Sequence, residues 1–252
     1  MIKREIKPKN LPIAINSLKP SGYGHTDTVY IADDKYIVKI YEFASTKQVE
    51  EEIEILKFSS FAPRVLSEIF YIDLRPALVF EKLKGEVVKA LKPLHVKQIG
   101  EFLARFHSNT KGKTSSNPKL FKKERLMKLV SQSQDKYLMR SFEALRVDLK
   151  CDGLIHGDLF LDNVLFEDDR LSGVIDFTDS CEGDFAFDLA VVAFSWNLDD
   201  GLIDLLLNSY GSEMEKDEFK EYMKYALLYY CASRAVVGRD YNELKERLKR
   251  LK

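Results

Sequence analysis

Apolar and polar positions follow two different rhythms along this chain. Between residues 13 and 41 short apolar runs are broken by turn formers, which predicts strands at 13–18, 28–32 and 36–41. Pro20-Ser21-Gly22-Tyr23-Gly24 and Asp33-Asp34 form the turns between them. A helix follows, with Ser45 or Thr46 as its cap and Val49, Ile53 and Leu56 on one face. Two further strands are expected at 65–71 and 77–80. The polar segment Glu81-Lys82-Leu83-Lys84-Gly85-Glu86 then marks a boundary between residues 1–83 and residues 84–252.

Beyond that boundary the period becomes helical. Ile99, Phe102, Leu103 and Phe106 share one face, as do Phe219, Tyr222, Met223, Ala226 and Tyr230. Among these helices, two apolar runs at 164–166 and 171–175 flank Glu167-Asp168-Asp169-Arg170 and predict a hairpin. The sequence therefore predicts an α+β protein with two lobes, a small antiparallel sheet carrying one helix and then a mostly helical lobe. The basic end, 245–252, is expected to be the solvated face of a last helix.

Composition narrows the partners. Of 252 residues, 39 are Lys or Arg and 40 are Asp or Glu, for a net charge of -1. That balance argues against a surface built for nucleic acid or anionic membrane and leaves a small molecule as the expected partner. No apolar run approaches the ~18 residues needed to span a bilayer, and the first residues are charged. Cys151, Cys181 and Cys231 are widely spaced, so they are expected to be buried thiols in a reducing, cytoplasmic setting. His25, His95, His107 and His156 show no metal-ligand spacing.

The chemistry concentrates in His156-Gly157-Asp158-Leu159-Phe160-Leu161-Asp162-Asn163 and Gly173-Val174-Ile175-Asp176-Phe177. Phosphoryl transfer needs a carboxylate to orient the acceptor and hard oxygen ligands for Mg²⁺. Asp158, Asn163 and Asp176 supply these types, and the hairpin folds Asp176 back toward the other two. The surrounding acids, including Asp162, Asp179, Glu182, Asp184 and Asp188, call for a cation if they share a desolvated site. In the first lobe, Lys39 lies mid-strand. Of the glutamates at 50, 51, 52 and 54, Glu52 alone lies on the stripe of Val49, Ile53 and Leu56, and a buried carboxylate needs a cationic partner such as Lys39.

The run from His156 to Asn163 resembles the catalytic loop of the aminoglycoside phosphotransferase and choline kinase superfamily. Gly183-Asp184-Phe185-Ala186-Phe187-Asp188-Leu189-Ala190 is similar to that family's G-D-P-x-x-D-L-A segment, with Phe185 in place of proline. The substitution is expected to affect local backbone stiffness alone. The resemblance implies a protein-kinase-like fold using ATP and Mg²⁺, with Asp158 as catalytic base and Asn163 and Asp176 as magnesium ligands. Asp188, with His156, braces the catalytic loop. Lys39 and Glu52 resemble the kinase pair that orients phosphates. Gly22 and Gly24 become a nucleotide-covering turn, and the hinge at 80–83, with Glu81 and Leu83, offers backbone groups to adenine. His107 matches a histidine with a buried structural role.

Two neighbouring functions fit less well. A protein kinase would show D-F-G and A-P-E, but Thr178 follows Phe177 and there is no room for a peptide-docking loop before Asp188. A non-catalytic binding module would lack one of Lys39, Asp158, Asn163 or Asp176, and all are present. The catalytic segments are most similar to homoserine kinases of the superfamily, and Asp179 or Glu182 would pair with the ammonium of an amino alcohol. Sugars, choline-like alcohols and aminoglycosides remain open as acceptors.

Overall fold

Turn chemistry shapes the first lobe. In the computed structural model, which describes residues 4–22 and 26–251, five strands form one antiparallel sheet: β1 (Leu18–Pro20), β2 (Thr28–Ala32), β3 (Tyr36–Ile40), β4 (Phe70–Ile72) and β5 (Arg75–Glu81). Their order is β1-β2-β3-β5-β4. Asp33 and Asp34 reverse the chain between β2 and β3 with φ of 49° and 55°, a left-handed conformation that Asp tolerates better than most residues.

The same turn overturns one expected strand. The Asp33 carboxylate accepts from the Asn16 and Ser17 amides at 3.1 and 2.8 Å, so residues 13–17 form a loop and pairing begins at Leu18, opposite Ala32. The expected strand at 65–71 is also shortened. Val65 makes an isolated bridge to Phe80, Ser67 Oγ accepts from the Val79 amide at 3.0 Å, and regular pairing starts at Phe70.

Helix α1 (Thr46–Leu56) begins where Ser45 and Gln48 cap each other. Ser45 Oγ accepts from the Gln48 amide, while Gln48 Oε1 accepts from the Ser45 amide at 3.0 Å. The helix buries Val49, Glu52, Ile55 and Leu56, one apolar stripe with a carboxylate set into it.

The second lobe holds α2 (Pro93–Thr110), α3 (Lys123–Ser133), α4 (Lys136–Glu143), α5 (Phe185–Ser195), α6 (Asp200–Tyr210), α7 (Lys216–Val236) and α8 (Asn242–Arg250). Two strand pairs sit among them. β6 (Gly153–Ile155) pairs with β9 (Cys181–Gly183), and β7 (Val164–Glu167) pairs with β8 (Arg170–Val174), the expected hairpin. Lys92 and buried His95 of the α2 N-terminus bond the hairpin-turn Asp169 at 2.5 and 3.1 Å, tying it down.

The polar segment after β5 is stitched to this hairpin. Glu86 and Phe166 exchange two backbone hydrogen bonds of 3.0 and 2.9 Å. Gly85 has φ of +90°, and a Cβ there would lie 2.3 Å from Ser172 Oγ and 2.6 Å from Phe166 O, so this crossing requires glycine. One large core spans both lobes, running from Tyr41, Val49 and Leu78 to Phe102, Phe106 and Phe177. A smaller one covers the other sheet face with Ile15, Tyr30, Val38 and Val79. Cys181 and Cys231 are buried as expected, but Cys151 is exposed in the loop before β6. No described helix is long and apolar enough to cross a membrane. α8 turns Leu244 and Leu248 inward and exposes Lys249 and Arg250. The half-buried Lys245 pairs with Asp135 and the half-buried Arg247 donates to Phe194 O, so the expected solvated basic face is found only in part.

Candidate active site

The loop from His156 to Asn163 is held from behind by one buried acid. Asp188, in the first turn of α5, accepts from the backbone amides of His156 and Gly157 at 2.7 Å each, and lies 3.0 Å from His107 Nε2. His107 is buried, with Nδ1 3.1 Å from the Tyr210 hydroxyl. Phe185 stacks on its imidazole at 4.2 Å with the planes 4° apart. The residue that stands where the family has proline therefore does more than alter backbone stiffness, because it packs against the histidine that reaches Asp188.

His156 is buried too, and burial keeps its pKa below the usual value. Its Nδ1 accepts from the Asp158 amide at 3.2 Å, which leaves Nε2–H to donate to Ile175 O at 3.1 Å. One neutral ring thus ties the loop to the strand that delivers Asp176. Gly157 has φ of +81°, and a Cβ would meet the Phe121 ring at 2.5 Å, so the turn into Asp158 also requires glycine.

Asn163 closes the loop by donating from Nδ2 to Asp158 O at 2.7 Å, with Asp158 Oδ2 at 3.4 Å. Its own carbonyl accepts from the Ile175 amide at 3.0 Å, placing Asn163 beside Asp176. Asp176 has φ of 63°, a strained conformation for a residue with a side chain. Burial pushes Asp158 up to about 8, with Asp179 and Asp176 adding like-charge repulsion. Desolvation by the cleft walls, with like charge from Asp176, raises Asp179 to about 6 although its side chain opens into the cleft.

Across the cleft, Lys39 gathers acids from both lobes. Its Nζ lies 2.8 Å from Asp176, 3.4 Å from Glu52, 3.8 Å from Asp27 and 2.6 Å from Thr178 Oγ1. The Tyr41 ring is 4.6 Å away. Burial works to lower the Lys39 pKa, but Asp176 and Glu52 hold it well above its ordinary value, so the ammonium stays charged. Burial likewise works to raise Asp176, and Lys39 holds it below the usual carboxylate range. Glu52 is raised, because at 3.4 Å the lysine offsets its burial incompletely.

The other candidate residues fall in varied places. Asp179 lines the same cleft, a cavity of about 170 Å³ whose walls include Asp27, Phe43, Asp158 and Asp176. Glu182 does not line it. Its carboxylate is taken by Lys119, by the Ser115 amide at 3.2 Å and by the Cys151 thiol at 3.3 Å. Gly22 has open space around it, and Gly24, like His25, lies outside the described residues. At the hinge, Arg64 O and Lys35 O accept from the Glu81 and Lys82 amides, while the Leu83 amide has no protein partner among the described residues. The Glu81 side chain pairs with Arg64 at 2.6 Å. A larger recess of about 430 Å³, between α1 and the loop at 112–114, contains none of these groups.

Three residues join the site that the motifs did not single out. Thr178 Oγ1 sits among Lys39, Asp176 and Glu52, and its place two residues after Asp176 was a usable signal. Asp27 reaches Lys39 from the strand edge, where nothing in the sequence separates it from an ordinary turn acid. Tyr230 comes from α7, where the helical stripe marked it only as a core residue. Its hydroxyl donates to Gly157 O and lies 3.2 Å from Asp158 Oδ1.

The donor chemistry fits a hard cation. Among the described residues no three His, Cys, Asp or Glu side chains form a metal-binding group. Asp176 and the amide oxygen of Asn163 are two neighbouring hard donors, the small protein share that Mg²⁺ takes when phosphates and water complete its shell.

The phosphotransferase enzyme family matches residues 18–222. The homoserine kinase of Methylobacillus flagellatus is 26% identical over 204 residues, covering 70% of this chain and 61% of that protein. That of Parvibaculum lavamentivorans is 33% identical over 141 residues, covering 48% and 42% respectively. The chain thus spans about two-fifths to three-fifths of the length of these relatives. In three dimensions it is similar to choline kinase LicA from Streptococcus pneumoniae, with a TM-score of 0.74, 15% identity and coverage of 94% and 93%. It is also similar to the GDP and kanamycin complex of APH(2")-IIIa, with a TM-score of 0.71, 17% identity and coverage of 95% and 94%. These likenesses establish the two-lobed kinase-like fold.

Proposed function

Because the chain belongs to the phosphotransferase enzyme family, we propose that it moves the γ-phosphoryl group of ATP to a hydroxyl of a small molecule, foremost an amino alcohol such as homoserine. The observation that carries this reading is the meeting of Lys39, Glu52 and Asp176 across one cleft from Asp158 and Asn163. The homoserine kinases among its relatives support the acceptor class.

Lys39, held by Glu52, exchanges its contact with Asp176 for the α- and β-phosphates. The backbone at Gly22 approaches them, and the Leu83 amide, with the Glu81 carbonyl, receives adenine. Asn163 and Asp176 would hold magnesium, which would supply charge neutralisation to the phosphates when bound. Asp158 orients the acceptor hydroxyl and takes its proton as the new O–P bond forms and the bond to the ADP oxygen breaks. Asp188 and His156 act behind it by fixing the loop. Asp179, exposed in the cleft beside Asp158, pairs with the acceptor's ammonium. Three free thiols suit a reducing compartment such as the cytoplasm.

One observation favours a second acceptor class. Among the described residues, the walls of this cavity carry Asp27, Asp158, Asp176 and Asp179 and no Lys or Arg. That surface suits an ammonium without a carboxylate, as in choline or an aminoglycoside. The test is consumption of MgATP by the purified protein with L-homoserine, choline, 3-amino-1-propanol, kanamycin and a hexose in parallel. Amino alcohols are expected to give the fastest turnover, with choline ahead of homoserine if the second class holds. A preference for the uncharged hexose would sink the role given to Asp179.

A further inference from the structure

We propose that Tyr230 is a positioning residue for phosphoryl transfer, gripping the Asp158 carboxylate from the side opposite Asn163. The proposal rests on the reading of Asp158 as the group that receives the acceptor's proton.

The geometry begins with how the phenol is placed. Tyr230 lies on α7, 72 residues beyond Asp158, and its ring is wedged among three others. Phe160 meets it edge-on at 4.9 Å, Phe194 lies at 5.5 Å and Tyr229 at 5.6 Å. Phe160 belongs to the catalytic loop, so α7 and the loop share one aromatic cluster. Such a cluster leaves the ring little freedom, and its hydroxyl is aimed rather than mobile.

That hydroxyl points at the one peptide whose orientation decides where Asp158 stands. It donates to Gly157 O and sits 3.2 Å from Asp158 Oδ1. At the other end of the carboxylate, Asn163 Nδ2 lies 3.4 Å from Oδ2. With a donor near each oxygen, the carboxylate plane is fixed and its remaining lone pairs face the cleft lined by Thr178 and Asp179. Burial beside Asp158 and Asp179 keeps the phenol pKa well above its ordinary value, so Tyr230 stays protonated. It donates a hydrogen bond throughout and transfers no proton.

A phenol with one hydrogen cannot serve Gly157 O and Asp158 Oδ1 fully at once. In the resting state the shared hydrogen holds the ionised carboxylate in plane, and as the acceptor's proton arrives and the negative charge on the Asp158 oxygens falls, the hydrogen bond settles on Gly157 O with only a small rotation about the C–O bond. Preorganisation of this kind raises turnover without changing how tightly either substrate is held. The structural alternative is that Tyr230 merely fills space between α7 and the loop, a task that phenylalanine would perform equally well.

Tyr230→Phe separates the two, because it keeps the ring and removes the hydroxyl. Turnover is read as MgATP consumption with the fastest acceptor among L-homoserine, choline and 3-amino-1-propanol. The expected result is a roughly 10- to 100-fold lower kcat, as for loss of a hydrogen bond to a charged group, with KM for both substrates and the melting temperature close to wild type. Phe160→Leu serves as the packing control, expected to lower the melting temperature while costing less in kcat than Tyr230→Phe. Unchanged kcat in Tyr230→Phe overturns the inference, as does a loss of kcat accompanied by raised KM for ATP and a lower melting temperature. Asp158→Asn in parallel keeps the two ideas apart. If it is inactive while Tyr230→Phe is normal, only the role of Tyr230 fails. If it is active, or if no acceptor supports consumption, the reading of Asp158 fails and the inference with it.

Discussion

Asp158 projects from one short loop and Asp188 braces that loop from α5, and their surroundings could hardly differ more. Asp188 is fully buried, yet two backbone amides and His107 surround its carboxylate. Asp158 faces a cleft where Asp27, Asp176 and Asp179 add charge of its own sign. The first acid is satisfied within the fold. The second has donors at its oxygens, Asn163 Nδ2 and the Tyr230 hydroxyl, but no ion-pair partner among the described residues to balance the like charge around it, and that imbalance marks chemistry more reliably than burial or spacing does.

The comparison can be broken most forcefully at its structural end. Asp188→Ala leaves two buried amides and a histidine without their acceptor, and is expected to cost on the order of 3–5 kcal/mol of stability. In thermal unfolding this corresponds to a drop of roughly 10 °C for a chain of this size. A change of less than about 2 °C would mean that the loop stands without its brace.

At the cleft, the glutamates of α1 sharpen the contrast, since neighbouring positions carry different partners. Glu52→Gln weakens the pairing with Lys39 and is expected to lower kcat/KM for ATP roughly tenfold. Glu54→Gln removes only an exposed contact to Lys57 and should leave kcat/KM within error. Glu51 accepts from Ser115 Oγ at 3.0 Å and from the Ser116 amide at 3.1 Å, outside the cleft. Its Gln variant is expected to lose a little stability and keep kcat/KM within about twofold. Equal losses in all three would show that net charge, rather than the Lys39 contact, sets phosphate positioning.

The smallest effect is one of stability against pH. Asp158 has its pKa raised in the folded chain to about 8, above its unfolded value. Its contribution is therefore complete below about pH 4 and is lost as pH rises toward 8. Asp158→Asn, which cannot ionise, should melt a few degrees above wild type at pH 8, with the gap closing toward pH 4. A constant gap across that range would argue that Asp158 is ordinarily solvated.

Much of this was readable from residues alone, and the exceptions share a cause. His156 to Asn163 and Asp176 were legible because a loop and a hairpin place them by local geometry. Glu52 was legible because helical period puts it on the buried stripe. Tyr230 became visible only through a contact spanning 72 residues, which no local pattern encodes, whereas Thr178 stands two residues after Asp176 and carried a local signal beside its contact with Lys39. Glu182 misled for the same reason, since its partner Lys119 lies 63 residues away. The lost strand at 13–17 shows the rule at smaller scale, because one turn carboxylate, Asp33, outbids the sheet for its amides.

The central claim, that Asp158 acts on the acceptor and not on the nucleotide, is tested most directly by measuring turnover and MgATP binding on Asp158→Asn. Calorimetry should give a Kd for MgATP within about twofold of wild type, while kcat falls roughly 10²- to 10⁴-fold, the range of a lost general base. Near-normal kcat, or a loss of MgATP binding that accounts for the loss of activity, would contradict it.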